Sequence, residues 1–349
     1  VRILIVKLGS VGDIAHTLPA LAAIRRKHPD AEISWAAETR SAEILEDNPM
    51  IDRLIKLDTR SLRAAASVDE MLRELRSQVG ELRRYKYDVA IDFQGLIKSA
   101  VVAKLSRAPI RWGFARRNLR EPASRVLLTD AVQIPTGTHV IKKNLMLAGA
   151  SVAADISGEL EFPIGVGQAA LDEATAIAAR AGGRFAVLNP GGGWPTKLWD
   201  AANYGRLADM IWDRLQLASI MVTGPQESHL AADAIGASQR GTLITAELGF
   251  KAFYALARRA SVYVGGDTGP THLAVAARAP VVGIFGPTEW WRNGSTNPDD
   301  ICVERNDISC RVDCHRRSCS NWICMDISVE QVFEAVALRT ASSLNVVNA

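Results

Sequence analysis

The sequence lacks most of the marks by which chains of this size are commonly sorted. No uninterrupted apolar run approaches the roughly 20 residues that a membrane-spanning helix needs. The start shows no basic region followed by a signal-type apolar stretch; residues 2–8 read directly as a strand, so a cytoplasmic enzyme is expected. GxxxxGK[ST] is missing, which argues against a P-loop kinase, and so is GxGxxG after the first strand, which argues against a dinucleotide oxidoreductase. No DxD-type acidic pair stands out as a magnesium chelator. None of the cysteine spacings is CxxC, so the zinc signal is weak. Cys302, Cys310, Cys314, Cys319 and Cys324 crowd toward the C-terminus with His315 among them. An odd count in such a chain reads as reduced, partly buried thiols, with a metal or disulfide as the lesser alternative. A net charge of +3 is too small to argue for nucleic acid.

What the chain does have is length and apolar content. Its 349 residues, 48% of them hydrophobic, suffice for two domains with sizeable cores. Short apolar runs (RILIVKL, AEISWAA, DRLIKLD, YDVAIDF) alternate with amphipathic stretches such as PALAAIRRKHP and VDEMLRELRSQVGELRRY, the pattern of βαβ units and a parallel sheet. The pattern loosens over 149–167 and restarts with RFAVLNP, ASIMVTG, SVYVGG and VVGIFG separated by helices. The expected fold is α/β: two Rossmann-like, doubly wound parallel-sheet domains, 1–165 and 166–330, facing a central cleft. A helix and tail follow over 331–349, with the helix packing back across the first domain.

In open α/β sheets ligands bind beyond the carboxyl ends of the strands, so the strand-end loops carry the chemistry. In LNPGGGWPTKLW the glycines, Gly191 and Gly192 among them, let backbone N–H groups approach an anion. Thr196 offers a hydroxyl, and Lys197 a point charge suited to phosphate. In VTGPQE, Glu227 stands at a helix start, fit either to receive ribose hydroxyls or to sit in a first turn favoured by the helix dipole. In VGGDTGPTHLAVA, a strand runs into Asp267, Thr268 and Gly269 with Pro270 near the first helical position, an anion site built from backbone. His272 reads as part of that site or as a core histidine. Together these loops describe a nucleotide-diphosphate site in the second domain. The first domain opens on VKLGSVGDIAHTLPAL, where a carboxylate, Asp13, stands at a helix N-terminus. The helix dipole keeps it ionised, able to accept a proton from an attacking hydroxyl; it reads equally as an N-cap. From Lys98 to Arg125 eight Lys or Arg meet a single acid, Glu121, which suggests an anionic partner or a solvated basic face.

KLGSVGDIAHTLPAL, AIDFQGLIKSA, REPASR, NPGGGWPTKLW and GGDTGPTHLAVA with GIFGPTEWW cover most of the chain. In combination they resemble the heptosyltransferases of lipopolysaccharide core assembly, GT-B glycosyltransferases of family 9. FQGLIKSA and REPASR look most like the heptosyltransferase I branch, while the cysteine-rich tail with CMDIS is similar to other branches, heptosyltransferase II included. The resemblance implies an inverting transfer of heptose from an ADP-heptose donor to Kdo on lipid A, at the cytoplasmic face of the inner membrane, with peripheral membrane contact and no metal or other cofactor. It implies Asp13 as catalytic base. It assigns the donor to Lys197, Glu227, Asp267, Thr268, Gly269 and His272. Lys98, Arg120 and His139 fall to the acceptor, with Arg60 and Arg63 in a loop of similar role. Three alternatives stay open: a relative using another acceptor or nucleotide sugar, a noncatalytic nucleotide-sugar-binding protein, and an epimerase-like enzyme.

Overall fold

The computed structural model describes residues 1–59, 67–311, 314 and 316–347. The chain divides into two compact units, Val1–Gly165 and Val166–Ala349.

The first unit is built on a six-stranded parallel sheet: β1 (Arg2–Val6), β2 (Glu32–Glu38), β3 (Arg53–Leu57), β4 (Val89–Asp92), β5 (Ile110–Phe114) and β6 (Asp130–Val132), in the order β3-β2-β1-β4-β5-β6. Residues 3–6 of β1 are fully buried, because a strand flanked on both sides and covered by helices on both faces has no solvent face to furnish with polar residues. The expected helices form over Leu18–Lys27 and Val68–Arg83, the first with Pro19 in its opening turn, where a missing N–H costs nothing.

The second unit repeats the plan with β7 (Phe185–Asn189), β8 (Ala218–Thr223), β9 (Leu243–Glu247), β10 (Val262–Gly266), β11 (Val281–Phe285) and β12 (Ile301–Glu304), all parallel, in the order β12-β11-β10-β7-β8-β9. Renumbered from β7, this is the strand order of the first sheet. Each sheet therefore reverses its winding direction once, between β1 and β4 and between β7 and β10. A crevice opens at such a switch point because successive crossovers leave on opposite faces.

The terminal helix, Val329–Val347, packs on the second unit. Val332, Phe333, Ala335 and Val336 are buried in the core of the second unit with Trp199, Tyr204, Leu207 and Ile284. Its Arg339 donates to Asp300 at 2.8 Å, and the same carboxylate oxygen accepts the Val281 N–H at the start of β11. Among the described residues no helix is long and apolar enough to cross a membrane.

Candidate active site

In each unit the candidate residues gather at the switch point. In the first, β1 runs out into Lys7, Leu8 and Gly9. The Leu8 and Gly9 N–H groups donate to Gln94 Oε1 at 3.1 and 3.4 Å, which ties this loop to the one following β4. Gly9 has φ +152°, and a Cβ there would press on Ser41 Oγ, so both backbone and space call for glycine. Ser10 then caps the short helix Val11–Ala15, and Asp13 occupies its third position. Asp13 Oδ2 accepts from the Ser10 N–H at 2.9 Å and from the Ser10 hydroxyl at 3.2 Å, a reciprocal cap. Asp13 is thus held by the cap residue rather than being the N-cap itself. Its other oxygen lies 3.5 Å from Lys7 Nζ; the lysine side chain is 5% exposed and that of Asp13 41% exposed. A carboxylate fixed at its back and open at its front can take a proton from a bound alcohol.

Lys7 was missed in the sequence because it ends an apolar run and looks like the strand's polar terminus. Its ammonium also donates to the Phe93 carbonyl at 3.1 Å. Below it sits Asp92, wholly buried at the end of β4. Burial pushes its carboxyl up to about 6; bonds from the Gly95 and Gln94 N–H groups and the Ser99 hydroxyl, with the charge of Lys7, only partly offset this.

The expected acceptor residues have different local partners. Lys98 donates to Glu38 Oε1 at 2.7 Å, and Glu38, buried at the end of β2, also binds Arg40 and the Thr59 hydroxyl. Burial raises the Glu38 pKa, and Lys98, Thr59 and Arg40 outweigh it, so the carboxylate titrates below its ordinary value. His139 caps the helix Val140–Val152, its Nδ1 accepting the Ile141 N–H, and its ring meets His16 edge-on at 6.2 Å between centroids. Arg120 is exposed. Arg60 and Arg63 lie outside the described residues. Within the basic block Arg111 and Arg125 donate to backbone carbonyls, whereas Lys104, Arg107, Arg116, Arg117 and Arg120 are exposed.

In the second unit three strand-end loops converge. A Cβ on Gly191 would run into the Glu227 carboxylate, and one on Gly192 would stand 3.0 Å from Thr268 Cγ2. Glu227 is positioned by the Gly224 N–H, which donates to Oε2 at 2.8 Å, just before the helix Ser228–Ala237. Thr268 caps the helix Gly269–Ala276, with Pro270 in its first turn. Asp267 is the hub. Its Oδ2 accepts from Lys197 Nζ at 2.5 Å and from Thr288 Oγ1 at 2.7 Å; its Oδ1 accepts from Asn293 Nδ2 at 2.5 Å and lies 3.2 Å from His272 Nε2. Burial alone would raise the Asp267 pKa, but the hydrogen bond and charge of His272 and the charge of Lys197 prevail, holding the carboxyl well below the usual range. Asp267, Lys197 and His272 are therefore brought together as expected, and Thr288 and Asn293 join them. Thr288 lies in the GIFGPTEWW stretch, but nothing in sequence spacing aims Asn293 at Asp267.

Thr196 has a different task. Its buried hydroxyl donates to the Arg316 carbonyl at 2.6 Å, and its own carbonyl accepts the Trp322 indole N–H at 2.9 Å. All five cysteines are free thiols. Cys324 is buried; Cys302 is half-buried and, desolvated beside Glu304, titrates well above its ordinary range. His315 lies outside the described residues. Among the described residues no group of three or more His, Cys, Asp or Glu side chains is arranged to hold a metal ion.

Comparison with known proteins bears on this pair of switch-point sites. Residues 75–322 match glycosyltransferase family 9 (heptosyltransferase). The lipopolysaccharide heptosyltransferase 1 of Pseudomonas aeruginosa is 28% identical over 327 residues, spanning 91% of this chain and 87% of its own length. Among solved structures, the glycosyl transferase family 9 protein of Veillonella parvula DSM 2008 superposes with a TM-score of 0.84 at 20% identity, covering 98% of this chain and 97% of its own. The E. coli heptosyltransferase WaaC with ADP-2-deoxy-2-fluoro heptose gives 0.76 at 22% identity, covering 96% and 99%.

Proposed function

The chain belongs to glycosyltransferase family 9, the heptosyltransferases, and on that premise we propose that it moves L-glycero-D-manno-heptose from ADP-heptose to Kdo of the lipopolysaccharide inner core. The observation that carries the donor half is the convergence of three loops at the β7/β10 switch point, where Gly191 backs Glu227, Gly192 backs Thr268 and Lys197 binds Asp267. Glu227 receives the ribose hydroxyls. The amides opening the helix Gly269–Ala276 and the Gly191–Gly192 backbone meet the diphosphate. Asp267, fixed as an anion by its donors, and His272 face the heptose. The name of the Pseudomonas relative favours a lipopolysaccharide acceptor, and the ligand of the E. coli structure favours an ADP-heptose donor.

The first unit supplies the acceptor and the base. The Kdo hydroxyl oxygen attacks the anomeric carbon while its proton passes to Asp13. The bond from that carbon to the diphosphate oxygen breaks, and ADP leaves with the electron pair. One displacement from the face opposite the leaving group inverts the anomeric centre. The transition state is oxocarbenium-like, so proton transfer is late. Lys7 and Ser10 aim Asp13. Charge growing on the departing diphosphate is met by groups fixed before the reaction, which is where the largest catalytic gain arises. The exposed Lys104, Arg107, Arg116, Arg117 and Arg120, together with Arg60, Arg63, Lys98 and His139, bias the unit toward the Kdo carboxylate and lipid A phosphates at the cytoplasmic leaflet.

The test follows ADP release from ADP-heptose with and without Kdo–lipid A, in excess chelator. Release that requires the acceptor, forms a heptosylated lipid and continues undiminished in chelator is expected. Binding without release would make the protein a nucleotide-sugar binder. Free sugar or an epimer formed without acceptor would make it an epimerase-like enzyme.

A further inference from the structure

The charge of Lys197 is already spoken for. Its ammonium and the Asp267 carboxylate are 2.5 Å apart and shielded from solvent, so as a pair they carry no net charge toward a ligand. A doubly anionic diphosphate bound beside them needs a further cation, because helix amides contribute only partial charges.

Residues 316–325 bring one. This segment is joined to the Lys197 loop by the Thr196 hydroxyl on the Arg316 carbonyl and by the Trp322 indole on the Thr196 carbonyl. A third contact is the informative one. The Arg317 guanidinium lies over the Trp194 ring, 4.9 Å from its centroid, and the Lys197 ammonium lies 4.4 Å from the same centroid. Gathered on one indole, the guanidinium and the ammonium are less than about 10 Å apart, close enough for both to reach one bound diphosphate. Arg311 cannot serve, since it is buried and bound to Glu304, Asn306 and the Gly286 carbonyl. Arg317 is exposed, and among the described residues neither it nor Arg316 is in an ion pair.

We propose that Arg317 is a second cation of the donor site, held on Trp194 and binding the nucleoside diphosphate group jointly with Lys197. Its planar fork suits phosphate oxygens, and stacking on the indole limits the freedom lost on binding. The proposal rests on the donor reading above and extends it to the C-terminal segment, giving the cysteine-bearing end of the chain a part in substrate binding.

The experiment measures the Kd of ADP by titration calorimetry and that of adenosine by ligand-observed NMR, for the wild type, Arg317→Gln and Trp194→Leu. Arg317→Gln is expected to weaken ADP about tenfold, the scale of one charge-assisted phosphate contact, and to leave adenosine unchanged. Trp194→Leu is expected to do the same, because it removes the platform. Unchanged ADP affinity in Arg317→Gln overturns the proposal and leaves the donor reading standing. So does an equal loss for ADP and adenosine, which would mark Arg317 as structural. A wild type that binds neither ligand overturns both.

Discussion

At the scale of single residues, the site depends on groups whose ordinary behaviour is changed by their neighbours. Asp92 is the clearest. Its carboxyl is fully buried and titrates near 6 rather than 3.8. A folded-state value above the unfolded one means that the folded protein holds the extra proton. The associated stability is complete below about pH 4 and is lost as pH rises through 6. Asp92→Asn removes this dependence, so wild-type stability measured relative to Asp92→Asn by urea unfolding should fall by about 2 kcal/mol between pH 4.5 and pH 7. A constant difference would mean that Asp92 is ionised throughout. Gly191 makes a second, steric prediction. A methyl there has no room beside Glu227. Gly191→Ala should therefore displace that carboxylate and weaken ADP about tenfold or more, with global stability changed by less than about 1 kcal/mol, since the loop is not core. An ADP Kd equal to wild type would remove Glu227 from the nucleoside site.

At the scale of elements, what the sequence showed and what it hid follow from the same physics. β1, β2, β7, β8, β10 and β11 are almost wholly buried and read as largely apolar runs. β5 (IRWGF), β6 (three residues) and β9 (LITAE) are at or next to a sheet edge, half-exposed and interrupted by charge, and no periodicity exposes them. The site divides in a similar way. Asp13, Lys197, Glu227 and Asp267 stand in loops whose glycines and strand ends announce them. Lys98 and Glu38, 60 positions apart, or Asn293 and Asp267, meet only through sheet order. The arginines of the basic block look alike in sequence, although Arg111 and Arg125 are occupied by backbone carbonyls. The terminal helix carries the element-scale prediction. Phe333 is 7% exposed in the second unit's core with Arg214 over its ring, so Phe333→Ala should cost about 3 kcal/mol in denaturant unfolding. A cost below about 1 kcal/mol would mean that the helix is not part of that core.

At the scale of the whole molecule, one strand order is used twice and each copy places chemistry at its reversal point. The second copy gathers fixed donors around Asp267 and Lys197, suited to an anionic leaving group. The first holds an accessible carboxylate, Asp13, between a buried lysine and a helix cap, suited to receiving a proton. The proposed division of roles gives each of the two similar sheets its own task. Its most direct test is Asp13→Asn, which keeps an oxygen for the Ser10 N–H and removes the basicity together with the charge facing Lys7. The measurement is turnover of ADP-heptose with Kdo–lipid A beside the Kd for ADP. The account predicts a turnover loss of about 10²- to 10⁴-fold with ADP affinity within twofold of wild type. Turnover within a few-fold of wild type would contradict it and leave Asp13 as a helix cap.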